Sequence, residues 1–256
     1  MELTVQQIAL ILGAGLLAGF VNTMAGGGSF LTLAALEFAG LPPTIANGTN
    51  RVAIEIQTIM AVLGFRSKGI SDFKLSLHFA IPALLGAIVG AHVATTYLPK
   101  VLFHRILAVA MLAMLAILIF NPKKWLQGRQ IKLTGKRRAL GYLVFFAVGI
   151  YGGAIQAGVG FLLIAPLVLV AGLDLVHTNS HKVFIIATYT LVALLLFALK
   201  GQVNWLIGLI LALGNGAGGW LASRLAVEKG EKLVRVFLGV ALAILSVRYL
   251  EIIPGF

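Results

Sequence analysis

The chain contains no cysteine, which excludes disulfides, thiol chemistry and thiolate metal sites; its five histidines stand apart, without metal-ligand spacing. Charge is scarce as well. Only 11% of the 256 residues are charged, against about 25% in an ordinary soluble domain, so there is too little charge to cover a water-facing surface. The N-terminus lacks a basic region and an Ala-x-Ala-like site: Met1–Leu3 offers only Glu2 before the first apolar run. That run is expected to be a retained helix, not a signal peptide.

What is present is apolar sequence, 60% of the chain. The runs Val5–Phe20, Phe79–Val93, Ile106–Phe120, Leu140–Ile150, Val183–Leu199 and Val236–Leu250, taken with their flanks, approach or exceed the length that spans a ~30 Å hydrocarbon core. About ten such segments can be counted, too many for a soluble core and too long for barrel strands of about 9–11 residues. The predicted fold class is all-α, a polytopic membrane protein. The net charge of +12 does not indicate nucleic acid, because the basic residues lie between apolar segments and form no single face.

The one long polar stretch, Asn121–Arg138, holds seven Lys/Arg and no acid. It divides the chain into a first helical repeat (1–120), a basic loop (121–138) and a second helical repeat (139–256). By the positive-inside rule the loop is cytoplasmic. At an offset of 132 residues, Ala25, Gly26, Gly28, Leu31, Ala39, Gly40, Leu41 and Asn47 fall on Ala157, Gly158, Gly160, Leu163, Ala171, Gly172, Leu173 and Asn179. Phe65, Lys68 and Gly69 then fall on Phe197, Lys200 and Gly201. The chain reads as an internal duplication. The first half is predicted as helices near Val5–Met24, Ser29–Phe38, Ile45–Gly64, Phe73–Tyr97 and Val101–Phe120. Ser29–Phe38 is too short to cross, with glycines opening it and Pro42-Pro43 closing it. If it pairs with the preceding helix as a re-entrant hairpin, three full crossings remain and the halves become inverted repeats, a recurring transporter plan with its site near the midplane.

The polar residues concentrate at the breaks. In the first half they are Asn22, the Gly26-Gly27-Gly28-Ser29 run, and Asn47, Thr49, Asn50 and Arg51; in the second, Gln156, Gly158, Gly160, Asn179, Ser180, His181 and Lys182. Glycines let backbone approach a ligand, and broken helices present N–H groups at positive dipole ends that suit an anion. Shifting the second alignment by one residue pairs Arg51 with Lys182, so each half offers a hydroxyl, a polar side chain and a cation. The competing reading is that the polar residues cap helices and the cations snorkel to headgroups. Glu55 either pairs with Arg51 at i,i+4 or relays a proton, and His92 is a second proton-coupling candidate. Asn215, set among glycines, either lines a pathway or bridges helices; Glu37 is expected to be solvated.

These motifs resemble the sulfite exporter TauE/SafE family over nearly the whole chain. The matching features are Gly19-Phe20-Val21-Asn22 through the glycine run, Gly40-Leu41-Pro42-Pro43, Ala46-Asn47-Gly48-Thr49-Asn50, and the second copy ending in Asn179-Ser180-His181-Lys182. The resemblance implies a bacterial-type permease for sulfite, sulfonates or related organosulfur anions. It further implies a multi-pass protein of the inner membrane with no enzymatic step and no cofactor. Gln156, Val159 and His181 depart from the first copy and leave the choice of anion open. A passive anion channel is the alternative reading. An intramembrane hydrolase would need a nucleophile and base in register, which the duplicate of Ser29 does not supply.

Overall fold

The computed structural model describes residues 4–70, 72–99, 101–103, 105–106, 109 and 135–249, with the side chains of Phe73 and of residues 230–249 left aside. Most of Val101–Phe120 and residues 121–134 of the basic stretch lie outside the described residues, and so does the boundary between the first repeat and the loop. The described residues form helices and no strands: α1 (Val5–Met24), α2 (Ser29–Phe38), α3 (Pro43–Ser67), α4 (Phe73–Tyr97), α5 (Gly135–Ala154), α6 (Val159–Leu169), α7 (Leu175–Leu199) and α8 (Trp205–Tyr249). Among the described residues, four segments are long and apolar enough to cross a membrane: Val5–Met24, Lys74–Tyr97, Leu175–Leu199 and Trp205–Lys229. The chain is an all-α, multi-pass membrane protein.

Local chemistry sets the ends. Thr4 and Gln7 form a capping box that starts α1, and Asp174 accepts the first N–H groups of α7. Pro43 opens α3 after an extended Pro42, the position where a missing N–H costs nothing. Gly40 and Gly172, with φ of +89° and +73°, turn the chain after α2 and α6.

Two expectations are corrected. Val236–Leu250 was predicted as a separate helix, but α8 runs unbroken for 45 residues, roughly 67 Å at ~1.5 Å per residue. The first half stops at Leu98-Pro99; at the 132-residue offset Pro99 falls on Glu231, which has the N–H that a continuing helix needs. The one-residue shift between the repeats is also absent. Helices α3 and α7 are both 25 residues long and begin 132 positions apart, so Lys182 corresponds to Asn50 and Arg51 to Val183.

Small residues bring the helices into backbone contact, the packing that works where lipid removes the hydrophobic incentive. Leu211 and Asn215 of α8 lie against Gly15 of α1, and Gly214 and Gly218 lie against Leu12 and Leu16. The same seam recurs where Gly86 and Gly90 of α4 meet Phe146 and Ile150 of α5. Both pairs are parallel. Thr49 and Val52 of α3 touch Gly208, and Gly64 touches Trp220 and Ser223, so α3 also runs with α8. Ser76 pairs with His181 and Thr95 with Gln202, which makes α4 parallel to α7. Arg51 lies over Phe197, whereas Phe65 clusters with Val176 and Val183, so α3 and α7 are antiparallel. Helices α1, α3 and α8 therefore run one way and α4, α5 and α7 the other.

This arrangement gathers Arg66, Lys68, Lys74, Lys136, Arg137, Arg138, Arg224 and Lys229 at one end, where Lys68 pairs with Glu228 at 2.6 Å. Lys200 lies at the opposite end. By the positive-inside rule this basic end is expected to face the cytoplasm. Cysteines replacing the exposed Arg137 and Lys200 should thus be labelled by an impermeant maleimide from opposite faces of sealed vesicles, Lys200→Cys from the outside. Labelling from one common face would overturn this orientation.

Candidate functional site

The breaks after α1 and α5 meet in the interior. Between Met24 and Ser29 the chain turns at Gly26, with φ of +101°; between Ala154 and Val159 it turns at Gln156 and Gly158, with φ of +67° and +71°. Gln156 is the only non-glycine residue with positive φ among the described residues, a strained conformation held by its surroundings. A Cβ on Gly26 would lie 2.5 Å from the Gly160 carbonyl carbon and 2.6 Å from the Phe161 nitrogen, and one on Gly160 would strike the Gly26 Cα. Backbone passes backbone here only because both residues lack side chains.

Beside this crossing is a cavity of about 10 Å³, about one water's worth of room. Asn22, Gly26, Ser29, Gln57 and Thr58 of the first half line it with Gln156, Val159 and Gly160 of the second. Ile54 and Ile186, 132 residues apart, face it from α3 and α7. Its polar groups form two hydrogen-bonded sets, one around Asn22 in the first half and one around Gln156 in the second. The Ser29 N–H donates to Asn22 Oδ1 at 3.1 Å, and Asn22 Nδ2 donates to Ser29 Oγ at 3.2 Å and Gln57 Oε1 at 3.3 Å. Gln57 Nε2 continues to Thr23 Oγ1 at 3.0 Å, and Gln156 Nε2 donates to Thr190 Oγ1 at 3.3 Å. Among the described residues the lining holds amides, hydroxyls, backbone and the aliphatic side chains of Ile54, Val159, Val183 and Ile186, but no carboxylate. It can donate hydrogen bonds to an anion beside the N-terminal ends of α2 and α6.

The cations predicted for the site are buried beside it and turned to other partners. Arg51 donates from Nη1 to the Gly152 carbonyl at 3.2 Å and from Nη2 to the Gly153 carbonyl at 2.5 Å, with Gln156 Oε1 at 3.5 Å. Lys182 Nζ donates to the Thr23 carbonyl at 2.9 Å and to Asn179 Oδ1 at 2.7 Å. Asn47 Nδ2 reaches the Ala154 carbonyl at 2.8 Å, and Asn179 Nδ2 the Met24 carbonyl at 3.1 Å.

The other predicted residues scatter. Thr49 Oγ1 accepts the Asn204 N–H at 2.9 Å, Gly27 packs on the Phe161 ring and Gly28 on the Ala18 carbonyl, and Ser180 is half-buried. His181 Nδ1 lies 2.7 Å from Ser76 Oγ, whereas Ser29 Oγ is bonded to Asn22, so these two do not form a nucleophile–base pair. Asn50 is buried, with neither amide atom hydrogen-bonded among the described residues; both side-chain polar atoms of Asn215 are in the same state where its backbone packs on Gly19. Glu55 is buried away from the cavity lining, and its Oε2 has no hydrogen bond among the described residues. His92 is exposed and meets the Tyr97 ring edge-on at 6.2 Å. Among the described residues no cluster of three metal-ligating side chains occurs.

Sequence reasoning missed Gln57, Thr58 and Thr190. A signal was available: the 132-residue offset places Thr58 on Thr190, one turn beyond Ile54 and Ile186.

Known proteins resemble the chain over nearly its whole length. A probable membrane transporter protein, YfcA, of Escherichia coli is 30% identical over 244 residues, which cover 95% of this chain and 89% of the relative. The probable membrane transporter protein ORF9 of a Sinorhizobium species is 27% identical over 249 residues, covering 97% and 94%. A probable membrane transporter protein of Haemophilus influenzae is 27% identical over 235 residues, covering 92% and 91%. No solved structure matches the chain. The family model for sulfite exporter TauE/SafE matches residues 11–249, and the chain thus belongs to that family of membrane transporters, not to an enzyme family.

Proposed function

We propose that the protein is a secondary carrier for a small oxyanion, sulfite or an organosulfonate, which binds where the two broken helices cross. The observation that carries this reading is the contact of Gly26 with Gly160 beside a cavity lined by the amides of Asn22, Gln57 and Gln156 and the hydroxyl of Ser29. An anion there would meet hydrogen-bond donors and two positive helix ends without a facing carboxylate. Support for inverted repeats comes from helix direction: α1, α3 and α4 run opposite to their counterparts α5, α7 and α8. Two such halves can rock about the crossing and open it to either side in turn. A cavity of about 10 Å³ fits an occluded carrier better than an open channel.

The test is uptake of radiolabelled sulfite into proteoliposomes of the purified chain, with methanesulfonate, thiosulfate and acetate as competitors. Saturable uptake displaced by the sulfur oxyanions and not by acetate is expected. Unitary currents in a planar bilayer, or indifference to every sulfur oxyanion, would overturn the reading. The same assay tests proton coupling through Glu55, the buried acid on α3. Glu55→Gln should retain exchange but lose stimulation by a pH gradient; unchanged stimulation would make Glu55 a packing residue.

A further inference from the structure

Helices α1 and α5 end inside the protein instead of at a membrane face, and each leaves carbonyls without an intrahelical partner. Such ends carry about half a negative charge, and no lipid or bulk water is at hand to satisfy them. A buried cation poses the opposite difficulty, because it is costly unless paired. Arg51 and Lys182, both 0% exposed, answer the two needs together.

The pairing is crossed. Arg51 and Asn47, on α3 of the first half, hold the Gly152, Gly153 and Ala154 carbonyls that end α5 of the second. Lys182 and Asn179, on α7 of the second half, hold the Thr23 and Met24 carbonyls that end α1 of the first. The asparagines are equivalent under the 132-residue offset but the cations are not: Arg51 stands at the place of Val183, and Lys182 at that of Asn50. A cation thus reaches the same kind of acceptor from a different position on each helix. Simple duplication would have placed both alike, so the shared feature is the electrostatic need of a buried helix end.

We propose that Arg51 and Lys182 are positioning residues, each clamping the broken helix of the opposite half, and that the anion meets the N-terminal ends of α2 and α6 instead of these side chains. The anion's place rests on the carrier reading above; the clamp does not. Each clamp makes α3 or α7 carry the other half's break with it, so a movement of one half is transmitted to the crossing at Gly26 and Gly160.

Hydrogen exchange on the full chain in nanodiscs, together with sulfite binding and uptake, tests this. Arg51→Met should speed exchange in residues 152–158 by about ten- to hundredfold, the equivalent of one hydrogen bond to a charged group, and leave residues 24–28 unchanged. Lys182→Met should do the reverse. In both variants the sulfite Kd should stay within about threefold of the parent while the maximal uptake rate falls at least about tenfold. Arg51→Lys should recover part of the rate, since an ammonium can hold one carbonyl but not two in a fork. If a methionine variant is not monodisperse, Asn47→Ala, which loses only the bond to Ala154, must show the same crossed exchange pattern. Sulfite affinity lost by ten- to hundredfold with exchange at 152–158 unchanged would make the cations ligands and overturn the proposal, as would exchange altered only in the mutated helix. Failure of the parent to bind sulfite would overturn the carrier reading alone, because the exchange pattern would still decide the clamp.

Discussion

Gly160→Ala should abolish uptake in proteoliposomes while a matched control, Gly13→Ala, leaves it intact. The added methyl at Gly160 falls on the Gly26 Cα, an atom of backbone that cannot rotate aside as a side chain would. To accept it the two breaks must part, which opens the cavity's floor and disrupts the network that Asn22 and Ser29 form. Overpacking of this kind costs roughly 1–3 kcal/mol in stability, so the variant should still be purified but melt earlier. Gly26→Ala should be worse, because a φ of +101° adds strain of about 1–3 kcal/mol to a similar clash. Gly13 lies on the exposed face of α1 with nothing within 4 Å of an added Cβ, and alanine there should slightly favour the helix. Wild-type uptake by Gly160→Ala would remove the helix crossing from the mechanism.

Gln57→Leu should weaken sulfite binding by about ten- to hundredfold, the worth of a hydrogen bond to a charged group, measured by calorimetry or competition. Gln57 both borders the cavity and joins Asn22 to Thr23, so leucine also leaves Asn22 Nδ2 without one of its two acceptors. Gln57→Glu separates these contributions. It preserves size and an acceptor for Asn22, yet places a carboxylate where the anion is expected, in surroundings where like charges repel strongly. The glutamate variant should bind sulfite more weakly than the leucine variant. Equal affinity for parent and Gln57→Glu would place the anion elsewhere.

The orientation test, the clamp and these two substitutions address different levels of the fold, and they differ in how much of each was legible beforehand. Membrane class, helical content and the two breaks are local properties. An apolar run must form a helix in lipid, and Gly26-Gly27-Gly28 and Pro42-Pro43 stop one wherever they stand. Helices α2 and α4 were accordingly predicted with the bounds they have, Ser29–Phe38 and Phe73–Tyr97. The duplication was legible too, since a constant offset is written in the residues themselves.

What the sequence by itself determined, then, is a duplicated bundle of apolar helices with polar, glycine-broken segments and one basic end. Only the tertiary structure decided which polar groups face one another. Arg51 and Gly153 are 102 residues apart and Lys182 and Thr23 are 159 apart, and their meeting depends on how α3 and α7 are rotated and which neighbours they cross. The rotation of α3 turns Gln57 towards the cavity, and that of α4 leaves His92 exposed. Residue type records a capacity to donate or accept; the partner is fixed by helix packing, which small residues on distant segments set together and no single window of sequence contains.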